Sequence, residues 1–281
     1  MKRLVFAVFT LSLFVLSCGG GKQTDTRIAD VPADTVDSTL LSVEDTVEYV
    51  VEEENPLPVS ADELFDDFFF NYASNMRLQL SRTVFPLKTS IGDSISFIQR
   101  SEWVADSFFT VQGYYTLIFD SEEHMDMGKE TAVDEVVVEK IMLDNQQVKS
   151  YCFSRNNGAW MLRNISISRI IDNPNASFLD FYQRFATDSV FQINSLNGAV
   201  YFEAPNPDDD FERIEGLITS ETWPAFAPEL PSQYIYNIVY SPIDVMSDTK
   251  IFVIRGISNG LETEITFRRE QGKWLLTKII T

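Results

Sequence analysis

His124 is the one histidine of the 281-residue chain, and its surroundings, Ser121 to Met127, add three carboxylates and two methionines. Zinc sites take several His or Cys ligands, and thioether sulfur suits copper(I) rather than zinc. We therefore interpret this stretch as a solvated loop. The run Asp208 to Asp210 lacks the glycine and the bidentate glutamate of a calcium loop, so we interpret it as another solvated loop. No metal and no other cofactor is predicted.

Cys18 follows a segment with the properties of an export signal. Lys2-Arg3 precedes an apolar run from Leu4 to Leu16, which is too short to span a bilayer. The run ends Val-Leu-Ser-Cys-Gly, which resembles a bacterial lipobox. The resemblance implies a signal peptide over 1–17 and acylation of Cys18. The alternative is an ordinary secretory signal that is cut nearby, with Cys18 a chance neighbour.

The lipobox also predicts where in the cell the protein is located. Two or more acyl chains on Cys18 give stable anchoring, so the membrane itself is a predicted partner. Gly19, rather than Asp, follows the cysteine. By resemblance to envelope lipoproteins of Gram-negative bacteria, this implies the outer membrane.

Residues 18–58 have the composition of an acidic, disordered tether. They hold ten acidic residues against Lys22 and Arg27, and Tyr49 is their one aromatic residue. Such a segment cannot bury enough apolar surface to order itself. The whole chain carries a formal net charge of −20, which disfavours binding to nucleic acid.

Three triads within the tether consist of Asp, a hydroxyl residue, and an aliphatic residue or Thr. Their central residues are Thr35, Ser38 and Thr46. The pattern is similar to the acceptor triad of a general O-glycosylation system in some Gram-negative envelopes. Alternatively, a linker rich in Asp and Thr produces such triads by chance.

An internal repeat organises the remainder of the chain. Six positions recur 114 residues later: Tyr151, Phe153, Gly158, Trp160, Leu162 and Ile165 in the first copy, and Ile265, Phe267, Gly272, Trp274, Leu276 and Ile279 in the second. Each copy reads as strand, turn and strand. A further predicted strand comes before each copy, which gives a three-strand antiparallel meander, and each unit begins with a helix that has an apolar face. We predict an α+β fold of two tandem domains, 59–172 and 173–281, each with N-terminal helices packed on a curved antiparallel sheet.

This order of elements, with a Gly-x-Trp-x-Leu final strand, resembles the nuclear-transport-factor-2-like fold. The resemblance implies two cone-shaped domains. Lipobox, acidic tether and tandem units together also resemble a family of Gram-negative envelope lipoproteins that brings no known activity. Enzymes with this fold, of isomerase and cyclase type, place an acid–base residue inside the cone, but no catalytic motif of theirs is present here.

Six aromatic residues fall where such a cone would have its mouth or wall: Trp103, Tyr114, Tyr115, Trp223, Tyr234 and Tyr236. They are candidates for a ligand pocket, and the alternative is ordinary core filling. Trp103 lies in a predicted short helix, Glu102 to Phe109. Asp66, Asp67 and Asp180 share helices with periodic apolar residues, so we expect these carboxylates to face water.

Cys152 lies between two aromatic residues of a predicted strand, and we interpret it as a small, half-buried apolar residue rather than a nucleophile. The sequence also lacks a Gly-rich phosphate loop and a Cys-x-x-Cys pair. We therefore expect a membrane-anchored, non-catalytic module that binds a small apolar or sugar-like ligand, or another envelope protein. The alternative is an enzyme of isomerase or cyclase type with an acid–base residue inside one cone.

Overall fold

The computed structural model describes residues 62–257 and 259–281, which fall within one compact unit, Asn55–Thr281. Cys18 and the three hydroxyl triads lie outside the described residues. Across the described ranges, the helices are all too short or too polar to cross a membrane.

Helices and strands follow one another in an order that repeats once. The helices are α1 (Phe65–Ser74), α2 (Met76–Ser81), α3 (Ala176–Thr187), α4 (Ser189–Asn194) and α5 (Trp223–Phe226). The strands are β1 (Thr83–Ile91), β2 (Ser94–Ile98), β3 (Tyr114–Phe119), β4 (Glu135–Met142), β5 (Gln147–Asn156), β6 (Ala159–Arg169), β7 (Leu196–Asn206), β8 (Asp209–Ile218), β9 (Tyr234–Val239), β10 (Thr249–Gly256), β11 (Glu262–Glu270) and β12 (Lys273–Ile280). Helices α1 and α3 bury the apolar faces that their 3.6-residue periodicity predicts.

The strands form two six-stranded sheets. The first sheet has the order β2-β1-β6-β5-β4-β9, and the second has the order β3-β10-β11-β12-β7-β8. The predicted antiparallel meanders β4-β5-β6 and β10-β11-β12 are present. Each sheet also contains one parallel pair, β1 with β6 and β7 with β12. The outer hairpins β1-β2 and β7-β8 were not predicted from the sequence.

The two halves of the chain exchange one strand each. Strand β3 comes from the first half, yet it pairs with β10 in the second sheet. Strand β9 comes from the second half and pairs with β4 in the first sheet. The exchanged strands also bond to each other, because the Thr116 hydroxyl accepts from the Tyr236 backbone N–H at 2.8 Å. Each sheet is therefore built from both halves.

The two hydrophobic cores are shared in the same way. The first core surrounds α1 and includes Ile251 and Val253 of β10. The second core surrounds α3 and includes Ile141 and Val148 of the first sheet. The division into two domains at residue 172 stays a prediction, but each core depends on side chains from both sides of it.

A buried polar network lies where the halves join. The carboxylate of Glu139 accepts hydrogen bonds from the amides of Asn173 (2.7 Å) and Asn237 (3.0 Å). Burial raises the pKa of Glu139, while these two hydrogen bonds oppose the rise. Asn237 also accepts from the backbone N–H of Ile118 at 2.9 Å, so one side chain links β9, β4 and β3.

The network continues to a buried ion pair. The backbone N–H of Asn175 donates to the Asn173 side chain at 2.8 Å, and the Asn175 side chain accepts from the ammonium of Lys250 at 2.6 Å. Lys250 also pairs with Asp120, which directly follows β3. Side-chain exposure is 4% for Lys250 and 9% for Asp120, so both charges are removed from water.

Replacing Lys250 with Met should destabilise the protein by about 3–5 kcal/mol, because the Asp120 carboxylate stays buried without its cation. The measurement is urea unfolding followed by tryptophan fluorescence. Arg169→Met is the control, since it breaks the solvent-exposed pair with Asp172 and should change stability little. Equal stabilities of the two variants would contradict a structural role for the buried pair.

Candidate functional site

A groove opens where the two exchanged strands begin, and we call it the tyrosine groove. Its volume is about 250 Å³, and it is lined by Gln112, Tyr114 and the segment 229–234. Tyr114 is the first residue of β3, and Tyr234 is the first residue of β9. Since the groove takes residues from both halves, it depends on the strand exchange.

Hydrogen bonds from three directions hold the groove walls. The hydroxyl of Tyr182, on α3, donates to the carbonyl of Pro231 at 2.9 Å. The backbone N–H of Leu143 donates to the carbonyl of Gln233 at 2.9 Å. The side chain of Gln112 donates to the carbonyl of Tyr114 at 2.8 Å. The groove is therefore preformed rather than dependent on a loose loop.

The polar groups of the groove lie close enough to affect one another. Burial raises the pKa of Tyr114, and the nearby Tyr234 and Glu229 raise it further. The Tyr114 hydroxyl thus stays protonated at neutral pH and can both donate and accept hydrogen bonds. Glu229 supplies an acceptor, and the amides of Gln112 and Gln233 supply both kinds of group.

Below the groove, aromatic rings connect it to the first core. The ring of Tyr236 meets that of Tyr234 edge-on at 6.2 Å, and the ammonium of Lys140 lies over both rings, at 5.8 and 5.2 Å. Tyr236 and Tyr115 both pack on Phe109, at 5.6 and 5.1 Å. Two of the six predicted pocket aromatics, Tyr114 and Tyr234, therefore line the groove, whereas Tyr115 and Tyr236 are buried in the first core.

The two tryptophans lie elsewhere. Trp103 packs edge-on against Phe85 at the margin of the first core. Trp223 is buried in the second core, where its indole N–H donates to Gln192 at 3.1 Å. Neither tryptophan lines the tyrosine groove.

A polar cluster on the inner face of the first sheet centres on Asp106, which the sequence did not single out. The Asp106 carboxylate accepts from the Tyr151 hydroxyl, from the Lys149 ammonium at 3.3 Å and from the Phe108 backbone N–H at 2.9 Å. Burial acts to raise the pKa of Asp106. These hydrogen bonds and the positive charges of Lys149 and Lys140 outweigh burial, so the pKa of Asp106 is lowered. Asp106 is therefore ionised at neutral pH.

Asp106 was missed because the segment that contains it was wrongly predicted to be a helix. The segment 102–109 is not a helix, since only a 3₁₀ turn, Arg100–Glu102, precedes an irregular stretch. Gln79 fixes that stretch, with its amide donating to the Asp106 carbonyl at 2.8 Å and its carbonyl accepting the Asp106 N–H at 3.1 Å. This pairing joins residues 27 positions apart, so local periodicity could not indicate it.

Among the residues that the structure describes in the second half, the cluster has no counterpart. At the 114-residue offset, Lys140, Lys149 and Tyr151 correspond to Ile254, Thr263 and Ile265. Strand pairing supports this equivalence. Val138 pairs with Tyr151 across β4 and β5, and the residues 114 positions later, Phe252 and Ile265, pair in the same way across β10 and β11. The two halves of the chain therefore share their order of elements and differ in chemistry.

Two predictions about other polar residues were wrong. Asp66 does not simply face water, because it is half-buried and accepts a hydrogen bond from the Tyr240 hydroxyl. His124 is also half-buried, and it lies in a 3₁₀ helix, Glu123–Lys129, beside a water-sized cavity of about 20 Å³. Asp67 and Asp180 are exposed, as expected.

The remaining candidates for chemistry are a nucleophilic cysteine and a metal site. Cys152 is half-buried, and burial raises the pKa of its thiol, which is the opposite of nucleophile activation. In residues 62–257 and 259–281, no group of three or more His, Cys, Asp or Glu side chains is placed to hold a metal ion.

Comparison with known proteins identifies the family. Residues 43–281 match the family described as Domain of unknown function (DUF4348). The chain belongs to this family. It is also similar to the crystal structure of an NTF2-like protein (BF2862) from Bacteroides fragilis NCTC 9343, with 41% identity and a TM-score of 0.73 over 80% of this chain and 98% of that one. None of the curated proteins matches. The predicted NTF2-like α+β fold is confirmed.

Replacing Tyr151 with Phe should cost about 1.5–3 kcal/mol at neutral pH, because the charged Asp106 loses its hydroxyl donor. Since the folded-state pKa of Asp106 is lowered, the cost should shrink as the pH falls below the ordinary carboxyl value of 3.8. Urea unfolding at several pH values measures it.

Tyr236→Phe is the matched control, because the Tyr236 hydroxyl is buried and has no partner among the described residues. Removing it should leave stability unchanged or raise it. A larger loss in Tyr236→Phe than in Tyr151→Phe would contradict the assigned hydrogen bonds.

Proposed function

We propose that this DUF4348 protein is a membrane-anchored lipoprotein whose globular part is a non-catalytic binding module for a sugar-like ligand. The observation that carries the proposal is the tyrosine groove, in which half-exposed Tyr114 and Tyr234 lie among Gln112, Glu229 and Gln233. Such grooves combine aromatic surface with a few polar groups that fix orientation. A pyranose offers C–H faces to the rings and hydroxyls to the amides and the carboxylate.

The packing inside the cones supports binding at the rim. Side chains of Phe68, Phe69 and Phe153 fill the space between α1 and the first sheet, each no more than 2% exposed. In the second half, Phe185 and Phe267 occupy the equivalent space and are fully buried. A ligand is therefore better accommodated in the groove than among these rings.

The surroundings of Asp106 and Asp66 also favour binding over catalysis. An isomerase-type enzyme would need a carboxyl of raised pKa that opens into a cavity. The pKa of Asp106 is lowered instead. Burial raises the pKa of Asp66, but the Tyr240 hydroxyl donates a hydrogen bond to its carboxylate, and a Cβ atom added at Gly128 would lie only 3.1 Å from that carboxylate. Neither acid has the setting of a tuned general base.

Replacing Tyr114 or Tyr234 with Ala should weaken binding of a sugar ligand about tenfold or more, because each ring supplies contact surface. The measurement is a screen on an array of mono- and oligosaccharides, then titration calorimetry with the best binder. Phe211→Ala is the control, since Phe211 is a 99% exposed aromatic outside the groove. Absence of any binder, or equal loss in the control, would refute the sugar proposal.

Replacing Cys18 with Ala should move the protein from the membrane to the soluble fraction, because the apolar anchor is lost. Cell fractionation in a Gram-negative host measures this, with Cys152→Ala as the control. Mass spectrometry of the mature chain should show acyl chains on Cys18. Hexose-sized additions that disappear in Ala variants of Thr35, Ser38 and Thr46 would support glycosylation of the triads. A Cys18→Ala protein that stays membrane-bound would contradict the anchor.

A further inference from the structure

A second groove lies in the second half, between α3, α4 and the β11-β12 hairpin, and we call it the Trp274 groove. Its volume is about 460 Å³, within the range of small-molecule sites. Phe181, Phe191 and Trp274 supply its apolar surface, and Asp180, Arg184 and Lys273 line it as well. It shares no lining residue with the tyrosine groove.

The internal repeat explains why the groove is open. Arg82 and Ser195 are equivalent, since each is the C-cap of a short helix, α2 or α4. Their carbonyls also accept equivalent bonds, from the N–H of Leu162 at 2.8 Å and of Leu276 at 2.7 Å. A large cation in the first half thus corresponds to a small hydroxyl in the second.

In the first half, the side chain of Arg82 occupies the space that corresponds to the Trp274 groove. Its guanidinium lies 5.9 Å from the ring centre of Phe68, the counterpart of Phe181, and makes two hydrogen bonds to Asp62 at 3.0 and 2.7 Å. The Ser195 hydroxyl instead bonds back to the Phe191 carbonyl at 2.7 Å. No side chain at position 195 reaches over Phe181, and the groove remains.

The charged residues of the Trp274 groove indicate which kind of ligand it can bind. The guanidinium of Arg184 lies over the Phe191 ring at 4.2 Å, which orients it. Across the described ranges, neither Arg184 nor Lys273 has a carboxylate oxygen within 4.0 Å. Two cations beside aromatic rings match a ligand that has both a negative and a flat apolar part. Asp180 lies on the same helix as Arg184 and repels an anion from its end of the groove. The charges therefore favour one orientation of the ligand, with its anionic part away from Asp180.

We propose that the Trp274 groove binds a small aromatic carboxylate, with the ring against Phe181 and Trp274 and the carboxylate at Arg184 and Lys273. The site is separate from the proposed sugar site and uses different chemistry. Failure of either proposal would leave the other standing.

The test compares two probes of the same shape, N-acetyl-phenylalanine and its uncharged amide, by ligand-observed NMR titration. The acid should bind about tenfold more tightly than the amide, because its charge meets the two cations. Arg184→Gln should remove most of that difference. Arg268→Gln should not, since it removes the same charge from an exposed position outside the groove.

Ser195→Met tests the geometry, because a long uncharged side chain at this position should fill the groove without adding a third cation, and should abolish binding of the acid. Circular dichroism checks that this variant folds, and if it does not, the Arg184→Gln and Arg268→Gln pair decides. Absence of binding by the acid, equal binding of acid and amide, or equal effects of the two Arg variants would overturn the proposal. So would full binding in a folded Ser195→Met protein.

Discussion

The buried carboxylate of Glu139 constrains how the two halves of this chain can pair. Taking an unpaired carboxylate out of water costs several kcal/mol, on the order of the stability of a whole domain. Here two amides compensate it, and both have fixed orientations, because the oxygen of Asn237 accepts from Ile118 and the oxygen of Asn173 accepts from Asn175. Any arrangement that moved β9 away from β4 would remove one of these donors.

The strand exchange that this network fixes also creates the proposed site. Tyr114 and Tyr234 begin the two exchanged strands, so they reach one groove although 120 positions separate them. Strands β9 and β3 are the end strands of their sheets, and the exchange brings these two ends together. The same pairing completes both cores, since β10 packs against α1 and the first sheet packs against α3. Architecture and candidate site therefore depend on one feature.

The two halves have kept the same core and diverged at polar positions. Trp160 and Trp274 occupy equivalent buried sites on β6 and β12. Tyr151 corresponds to Ile265, so the Asp106 cluster belongs to the first half alone. Arg82 corresponds to Ser195, so the open groove belongs to the second half. Core positions are restricted by packing density, whereas a polar residue at the margin can change without loss of the fold.

The sequence by itself determined the α+β class, the repeated helices and the three-strand meanders, because periods of 3.6 and 2 residues and the 114-residue offset are local or regular signals. It also marked Tyr114 and Tyr234 as candidates. Only the tertiary structure decided that these two meet, that Trp103 and Trp223 lie elsewhere, and that Asp106 is held in a cluster. Hydrogen bonds and strand pairings between residues far apart in the chain set those outcomes, and no local pattern encodes which distant partner a strand will choose.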